Sequence, residues 1–545
     1  MAILGERKAE CDEFYLALQD QVSCKDEQNI QRQALAGMLW SKQLYYYDVE
    51  QWLEGDECHP KPHHNRLKGR NSDWHHLKNY DLVSMPDKWE YPWYAAWDLA
   101  FHCLPYALVD ANFAKRQLVL MLKERYQHPN GQIPAYEWNF SDVNPPVHAW
   151  ACHRVFQMDK KRNDKPDYFF LERCFHKLLI NFTWWVNRKD KNGNNVFQGG
   201  FLGLDNIGLF DRSAPLPGGG HIDQADGTAW MAFYSLSMMK IALELSQINP
   251  VYQHSATKFL EHFLHIAEAL NSCGPDGKGL WDDIDGFYYD ILHQNGKDPV
   301  RIKVRSMVGI IPLFAVEVLD NDLLEKVPHF NSRLTWLFEN RPEFSSSISY
   351  FEKDDKQTKM LSLVSKDRLQ RILKRLFDEN AFFSDYGVRS LSKEHLSKPY
   401  KWNSGKFKGE VKYLPGESDS SMFGGNSNWR GPVWFPLNYL LFESLQKHYY
   451  YYKNDIQICD ENSCEVIYTQ IGELSNRLIK IFREQEDSEN KRACHSGDTF
   501  EHEHPLFYEY FHGDSGKGLG AAHQTGWTGL VAKLIQAQNE NSIVH

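Results

Sequence analysis

Helical periodicity recurs along most of this 545-residue chain and constrains its fold more than any other feature. In the segment 253–270, one helical face carries Phe259, Phe263 and Ile266. Glu261 falls on the opposite face. Alternating patterns typical of half-buried strands are scarce, and hydrophobic residues make up 42% of the chain. The pattern therefore predicts helices that pack on helices around a large core.

The same spacing predicts helices in many other segments. The predicted helices are 28–53, 97–109, 112–126, 168–188, 226–246, 253–270, 365–378, 432–451, 465–484 and 520–538. The connecting loops are long and rich in Gly and Trp, and long ordered loops usually carry function. No fixed-period repeat is present, which disfavours an open solenoid. We predict an all-α fold, a closed toroid of antiparallel helix pairs whose functional loops gather at one end.

Composition shifts along the chain indicate its domain organisation. We assign residues 1–27 to an N-terminal helical extension and residues 28–545 to one barrel domain. Insertions are expected near 54–90, which is rich in His, Pro and Lys, and near 340–365, which is polar. The charged, abrupt start is typical of the C-terminal part of a longer architecture.

Charge and composition exclude several classes of partner. The net charge is −11, from 61 basic and 72 acidic residues, so the chain lacks the basic field of a nucleic-acid binder. No segment approaches the roughly 18 uninterrupted apolar residues of a membrane span, and the N-terminus has no signal core. The ten cysteines are scattered without a Cys-x-x-Cys pair, which predicts reduced thiols. We expect a cytoplasmic protein with no nucleic-acid or membrane partner.

Three carboxylates lie in unusual surroundings. Asp98 follows Trp97 in an aromatic run, Asp205 lies in a glycine-rich run, and Glu509 lies between two tyrosines. Aromatic faces stack on the apolar faces of sugars, and pairs of carboxyl groups cleave glycosidic bonds. The 17 Trp residues exceed what packing usually requires, although large cores also contain Trp. This combination predicts carbohydrate chemistry in a cleft lined by aromatic residues.

Each carboxylate also has a structural explanation. Asp98 opens a helix whose dipole lowers a carboxyl pKa, so it suits binding of sugar hydroxyls better than proton donation. Asp205 is flanked by Leu204 and Ile207, which would raise its pKa as a general acid requires, but an Asx turn is an equal alternative. Glu509 is the strongest candidate of the three for a functional role. The alternative is a loop that contains a glutamate by chance.

Further polar and aromatic residues near these runs are candidate substrate contacts. Arg430, between two tryptophans, could bond a substrate or a catalytic carboxylate, or be a buried structural Arg. Glu137 is a fourth carboxylate candidate, with a structural role equally expected. The full set of candidate substrate-binding residues is Trp93, Trp97, Asp98, Glu137, Asn206, Asp211, Arg212, Trp230, Arg430, Trp434, Gln524 and Trp527.

Motifs for metals, cofactors and other hydrolases are weak. Residues 58–64 and 502–504 contain His with Cys or Glu, but neither run has the paired spacing of a zinc site. The aspartates in 282–285 lack an EF-hand frame. No Gly-x-Ser-x-Gly elbow is present, which disfavours a serine hydrolase. We expect no metal and no cofactor.

Four strings together resemble glycoside hydrolase family 63, which contains processing α-glucosidases and mannosylglycerate hydrolases. These strings are Trp97–His102, Gly203–Asn206, Asn428–Trp434 and Tyr508–Tyr510. The resemblance implies an (α/α)6 barrel and an inverting mechanism. Larger family members carry an N-terminal β-sandwich domain that we do not expect in this chain, so a small glycoside fits as substrate.

The resemblance also implies roles for the carboxylates. Asp205 would be the general acid, Glu509 the general base that activates water, and Asp98 would hold the sugar in the cleavage subsite. Inversion requires the two catalytic carboxyl groups to stand roughly 6.5–9.5 Å apart. Trp93, Trp97, Trp434 and Trp527 would shape the sugar subsites.

We therefore predict an inverting glycoside hydrolase that cleaves α-linked glucosides or related small α-glycosides, with a small-molecule or oligosaccharide glycoside as its partner. Two alternatives stay open. One is a non-catalytic carbohydrate-binding protein with an enzyme-like cleft. The other is a lyase, which would usually need a Tyr or His base, or a phosphorylase, which would need a basic phosphate pocket.

Overall fold

The computed structural model describes most of the chain. The described residues are 2–69, 71–136, 143–188, 195–197, 203–204, 206–212, 214–272, 279–342, 344, 352–353, 358–405, 407–420, 427–459, 464–485, 492–497, 504–522 and 525–540.

Its α-helices are α1 (Ala2–Leu18), α2 (Lys25–Trp40), α3 (Val49–Glu54), α4 (Ala96–Val109), α5 (Ala111–Leu120), α6 (His148–Asn163), α7 (Tyr168–Val186), α8 (Ala225–Leu245), α9 (Tyr252–Ser272), α10 (Asn321–Lys326), α11 (Pro328–Asn340), α12 (Lys366–Leu376), α13 (Glu394–Ser397), α14 (Phe435–Tyr452), α15 (Ile467–Lys480), α16 (Thr525–Thr528) and α17 (Leu530–Asn539).

The strands are short. They are β1 (Lys42–Asp48), β2 (Lys78–Ser84), β3 (His221–Asp223), β4 (Trp281–Asp282), β5 (Phe287–Tyr288), β6 (Asp290–His293), β7 (Val300–Ile302), β8 (Val316–Leu319), β9 (Glu352–Lys353), β10 (Thr358–Ser362), β11 (Phe383–Ser384), β12 (Gly387–Val388), β13 (Tyr400–Asn403), β14 (Lys408–Val411), β15 (Gln457–Cys459), β16 (Cys464–Val466), β17 (Tyr510–Phe511) and β18 (Gly518–Leu519). They pair antiparallel in small sheets of two or three strands.

Within the described ranges, six inner elements form a closed ring. In order they are α4, α6, α8, the 3-10 turns over 307–314, α14 and the α16–α17 pair, and α17 packs back against α4. An outer layer covers this ring: α2 packs on α4 and α17, α7 on α6 and α8, α9 on α8, and α15 on α14 and α17. The predicted all-α toroid is confirmed, as an (α/α)6 barrel in which one inner position is held by short turns.

The two layers differ in how their helices are buried. The inner helix α8 is buried almost all round, including polar Ser235 and Thr228, because neighbours surround it. The outer helix α9 is amphipathic, with Phe259 and Phe263 buried against α8. Glu261 lies on its more accessible side, as the periodicity predicts.

Several predicted boundaries are wrong. The helix predicted over 28–53 ends at Trp40, and Lys42–Asp48 forms β1, paired with β2 from the predicted insertion. Tyr45 packs against Tyr94, whereas its neighbours Leu44 and Tyr46 are exposed. This two-residue alternation is typical of a strand, but the apolar residues also fit a helical spacing, and the prediction followed the helix. The helix predicted over 112–126 ends at Leu120.

Other differences arise where tertiary packing overrides local pattern. The periodicity does not predict α6, because this inner helix interleaves apolar residues with buried His148 and His153. It does not predict α11 either. The stretch 340–365 is not polar throughout, since β10 pairs with β8 and buries Met360 and Leu361. The helix predicted over 520–538 begins only at Thr525, after β18.

The starts of several inner helices meet at one end of the barrel. The backbone N–H of Trp97, in the first turn of α4, donates to Asn144 Oδ1 at 3.4 Å, just before α6. The rings of Trp97 and of Trp434, which caps α14, both contact Trp527 of α16, with centroids 5.6 and 5.7 Å apart. The loops that precede these helices are therefore gathered at the same end.

The cysteines depart from prediction at one position. Seven described cysteines have free thiols, namely Cys11, Cys24, Cys58, Cys103, Cys152, Cys174 and Cys494. Cys464 is disulfide-bonded, so the prediction of reduced thiols is wrong there. The backbone register of the β15–β16 pair places position 459 directly opposite Cys464, a relation that no Cys-x-x-Cys motif signals.

Among the described residues, no helix is both long enough and apolar enough to traverse a lipid bilayer.

Candidate active site

Glu509 lies at the base of a small hairpin at this end of the barrel. The hairpin pairs β17 with β18, and Glu509 stands just before it, opposite Ala521. The Glu509 N–H donates to the Ala521 carbonyl at 3.0 Å, and the Ala521 N–H donates to Glu509 Oε2 at 3.2 Å. The hairpin therefore fixes both the backbone and the carboxylate of Glu509, which is 5% exposed.

Two hydroxyl groups also contact this carboxylate. Tyr91 Oη donates to Glu509 Oε2 at 3.3 Å, and Ser427 Oγ donates to Oε1 at 3.2 Å. Gly520 has φ +71°, and a Cβ at this position would stand 2.4 Å from Oε2. A glycine is required here because the backbone both adopts a left-handed conformation and approaches the carboxylate.

Burial sets the ionisation of Glu509. Burial raises its pKa from 4.5 to about 7, against hydrogen bonds from Ala521, Ser427 and Tyr91 that favour the charged form. Burial and the adjacent Glu509 charge also raise the pKa of Tyr91, so its hydroxyl remains a proton donor. A carboxyl group with a pKa near neutrality is suited to accept a proton from water.

A cluster of aromatic rings lies behind the carboxylate. Trp434 stacks on Trp429, with centroids 3.9 Å apart and an interplanar angle of 3°, and on Tyr510 at 4.6 Å. Trp527 meets Trp434 and Trp97 edge to face, and its indole N–H donates to the Glu509 carbonyl at 3.0 Å. These tryptophans are 1–5% exposed, so they form a rigid wall. Among the rings that the structure describes near Glu509, Tyr91 and Trp93 are the more accessible, with centroids 5.5 Å apart.

The residues that flank position 205 contact the same aromatic cluster. Gly203 has φ +74°, and a Cβ there would stand 3.0 Å from Trp97 Cζ2. Asn206 Oδ1 accepts a hydrogen bond from the Trp429 N–H at 2.7 Å. Asp98, 5% exposed, lies beside Trp97 in the first turn of α4.

Three predicted site residues, Asp205, Glu137 and Gln524, lie outside the described residues.

Arg430 lies at this end of the barrel, with main-chain oxygens as its partners. Its guanidinium donates to the carbonyls of Asn206 at 2.7 Å, Gly208 at 2.9 Å and Glu410 at 3.3 Å. It is 6% exposed, and burial lowers its pKa. The Asn206 amide is also used internally, donating to Asn428 Oδ1 at 3.4 Å. This geometry favours the structural explanation for Arg430, which ties loop 206–208 to the segment before α14.

Other predicted contacts lie in the protein interior. Arg212 is buried between two carboxylates, 2.5 Å from Asp226 and 3.1 Å from Asp290. Asp211, next to it, is half-buried. Trp230 is 1% exposed in α8 and packs against Phe314 with centroids 5.6 Å apart. The geometry gives Arg212 and Trp230 roles in packing the barrel around the site.

Comparison with known families decides the identity of this arrangement. Residues 91–200 match the mannosylglycerate hydrolase MGH1-like glycoside hydrolase domain, and residues 208–537 match the glycosyl hydrolase family 63 C-terminal domain. The second match alone covers more than half of the 545 residues. The chain belongs to glycoside hydrolase family 63.

Relatives and solved structures agree with this family. An uncharacterized protein of Saccharomyces cerevisiae is 50% identical over 98% of this chain and 51% of its own length. The mannosyl-oligosaccharide glucosidase of the same yeast is 28% identical over 32% of this chain and 16% of its own length. This family 63 chain thus spans about half the length of the first relative.

A crystal structure of the family 63 mannosylglycerate hydrolase from Thermus thermophilus, in complex with glucose, has the same fold. It superimposes with a TM-score of 0.51 over 84% of this chain and 95% of its own, at 16% sequence identity.

A separate cavity of about 380 Å³ lies among the inner helices of this family 63 barrel. It is lined by residues of α6, α8, β8 and α14, including Trp150, His153 and Glu317. Burial opposes ionisation of Glu317, but Lys240 and Lys447 outweigh it and hold its pKa well below the usual range. A carboxylate whose charged form is stabilised in this way is a weak proton acceptor, which distinguishes Glu317 from the Glu509 carboxyl with its raised pKa.

The sequence did not indicate the partners that tune Glu509. Tyr91 belongs to the same aromatic run as Trp93 and Trp97, which is the one signal that could have drawn attention to it. Ser427 and the Ala521 N–H carry no such signal, because they reach Glu509 through the folding of loops that are distant or irregular.

Proposed function

We propose that this family 63 chain is the catalytic domain of an inverting glycoside hydrolase that cleaves α-linked glucosides or related small α-glycosides. The observation that carries the proposal is the buried Glu509 carboxyl, with a pKa of about 7, held beside an aromatic cluster by Tyr91, Ser427 and Ala521. The names of two matched relatives, a mannosyl-oligosaccharide glucosidase and a mannosylglycerate hydrolase, support a substrate that is a glycoside.

In this mechanism Glu509 is the general base. Its ionised carboxylate accepts a proton from a water molecule, and the water oxygen bonds to the anomeric carbon. Asp205 is the general acid and gives its proton to the leaving oxygen as the glycosidic carbon–oxygen bond breaks. Because water attacks the face opposite the leaving group, an α-linkage yields a β-anomer and no covalent enzyme intermediate forms.

The remaining residues position the substrate and the base. Tyr91 and Ser427 hold the two oxygens of Glu509 in a fixed orientation. Asp98, in the first turn of α4, accepts hydrogen bonds from sugar hydroxyls in the cleavage subsite. Tyr91 and Trp93 are the partly accessible rings on which a sugar can stack.

The charges around the site support water as the acceptor in preference to phosphate. A phosphorylase needs a cation able to bind its phosphate. Among the described residues, the guanidinium groups of Arg430 and Arg212 are already bound by carbonyls and carboxylates. These two arginines are therefore poorly suited to a phosphate subsite.

The experiment is a kinetic comparison on α-glucosides, α-mannosides and glycosylglycerates. Replacement of a general base costs about 10²–10⁴-fold in rate, so we expect Glu509→Gln to lose activity by that factor on every substrate the parent cleaves. Glu90→Gln is the matched control, since Glu90 is an exposed neighbouring carboxylate whose charge is the smallest of the effects that set the pKa of Glu509, and this variant should retain near-parental rates at a pH above 7. Equal rates for Glu509→Gln and the parent would overturn the proposal.

A further inference from the structure

Three side chains with metal-ligating atoms converge on one face of the small sheet β3–β6–β7. In the antiparallel β3–β6 pairing, His221 lies directly opposite His293. Asp223 lies two residues after His221, on the same face, because side chains alternate along a strand. Their neighbours Ile222 and Leu292 point to the other face, where they pack into an apolar cluster with residues such as Leu209 and Phe210.

The three ligand groups are close enough to share one ion. Their ligating atoms all lie within 4.8 Å of one another. Asp223 Oδ2 is 2.7 Å from His293 Nε2, and Asp223 Oδ1 is 3.7 Å from His221 Nε2. Bonds of about 2.0–2.2 Å in a tetrahedral centre place neighbouring ligand atoms about 3.3–3.6 Å apart. The two observed separations bracket this range, and the two imidazole rings, which are stacked with an interplanar angle of 9°, would tilt toward the carboxylate to share one ion.

A glycine makes this convergence possible. Gly220, immediately before His221, has φ +105°, and a Cβ there would stand 1.9 Å from the His293 carbonyl oxygen. No other residue permits β3 to begin so close to the end of β6. The close approach places the two imidazole rings face to face, with centroids 4.5 Å apart and an interplanar angle of 9°.

We propose that His221, Asp223 and His293 form a binding site for a divalent transition-metal ion such as Zn²⁺. Two imidazole nitrogens and one carboxylate are the ligand types that bind such ions, and Ca²⁺ or Mg²⁺ would require more oxygens. The side chains are 26%, 17% and 28% exposed, so water can fill the remaining positions and the ion can enter from solvent.

The position of the site gives the ion a structural role. The strand β6 begins with Asp290, which accepts a hydrogen bond from Ala225 N–H at the start of α8 and pairs with Arg212. The ion would cross-link β3 to β6 and so fix the loop that carries Arg212, which follows position 205 in the sequence. Glu509 is not among its ligands, so the metal site is distinct from the proposed catalytic base.

The simpler explanation is a hydrogen-bonded pair of Asp223 and His293 without any ion. That pair accounts for the 2.7 Å contact, but it requires nothing of His221. The structure places His221 so that the second oxygen of Asp223 faces it as well. The two explanations differ in one measurable property, which is the uptake of one metal ion per chain.

The experiment uses the full chain, freed of metal by chelation and then titrated with Co²⁺ and Zn²⁺. We expect one ion per chain, a visible Co²⁺ absorption band that Zn²⁺ displaces, and a higher Tm with metal. His293→Ala and Asp223→Asn should abolish the band and the Tm increase. The control is the double variant His63→Ala/His64→Ala, which removes an adjacent pair of exposed histidines and should bind as the parent does.

Circular dichroism of each metal-free variant shows whether it is folded, and Asp223→Asn preserves side-chain size if His293→Ala is unstable. Two results would overturn the proposal. One is a parent chain that takes up no more Co²⁺ than folded Asp223→Asn. The other is loss of uptake in His63→Ala/His64→Ala with retention in Asp223→Asn, which would place the ion elsewhere.

Discussion

At the scale of single residues, the surroundings of Glu509 impose two opposing demands. Burial favours the protonated acid, whereas the Ala521 N–H and the hydroxyl groups of Ser427 and Tyr91 favour the carboxylate. The resulting pKa of about 7 has a cost in stability. Between pH 4.5 and about 7, the folded chain keeps a proton that the unfolded chain releases, so the free energy of unfolding falls as pH rises.

This linkage predicts the pH dependence of stability. The shift from 4.5 to about 7 corresponds to about 3 kcal/mol, all of it present below pH 4.5 and lost by about pH 8. Glu509→Gln cannot ionise, so its free energy of unfolding relative to the parent should rise by about that amount between pH 4.5 and about pH 8. Denaturant unfolding of both chains at the two pH values measures this difference in the free energy of unfolding. An equal difference at the two values would contradict the raised pKa.

Tyr91→Phe tests the hydroxyl partner separately. Removal of the Tyr91 hydroxyl takes away a hydrogen bond that favours the charged carboxylate, so the pKa of Glu509 should rise further. The acidic limb of the kcat/KM profile, which follows ionisation of the base, should therefore move to higher pH. Trp93→Phe is the control, because this neighbouring ring does not bond the carboxylate. Identical acidic limbs for parent and Tyr91→Phe would exclude Tyr91 from this role.

At the scale of elements, a tight hairpin and a buried arginine hold the site. Sequence patterns identified the segments, because the aromatic runs around Asp98 and Glu509 are conspicuous. They did not reveal how the segments are joined. Tyr91 is 418 residues from Glu509, and Arg430 reaches the carbonyl of Asn206 across 224 residues. Contacts at such separations depend on barrel closure, which no local pattern encodes.

The geometry of the β17–β18 hairpin leads us to expect that one methyl group added at Gly520 disturbs the site. Gly520→Ala forces a Cβ into a left-handed backbone position, 2.4 Å from Glu509 Oε2, so it should lower both Tm and kcat. Gly472→Ala is the matched control, since Gly472 lies within α15 with nothing within 4 Å of the added Cβ. That substitution should stabilise the chain by about 0.5–1 kcal/mol. A Gly520→Ala variant with parental kcat and Tm would contradict the described hairpin.

The variant Arg430→Lys tests whether Arg430 links two loops or binds the substrate. Arg430→Lys cannot reproduce a guanidinium that bonds three carbonyls, and buried unpaired oxygens cost about 1–3 kcal/mol each. We expect a lower Tm in the absence of substrate. Arg430→Lys with unchanged Tm and a raised KM would instead indicate that Arg430 binds the sugar.

At the scale of the whole molecule, the closed ring of helices brings loops from distant parts of the sequence together. The all-α toroid was predictable, because amphipathic outer helices such as α9 indicate a helical core. The inner helix α6 was not, since burial on every side removes the polar face that periodicity detects. The proposed metal ligands were also missed from the sequence. Asp223 and His293 lie 70 residues apart and meet only through strand pairing, so, as with Tyr91, no local pattern indicates the contact.

In the proposed mechanism the chain hydrolyses an α-glycoside with inversion, and Glu509 is the base. The most direct measurement is the proton NMR spectrum of the sugar released from an α-glycoside during the first minutes of turnover, before mutarotation. We expect β-anomer from the parent chain and from Glu90→Gln, and at least about 100-fold less product from Glu509→Gln. Initial release of α-anomer would contradict inversion, and β-anomer formed at the parental rate by Glu509→Gln would contradict the assignment of the base.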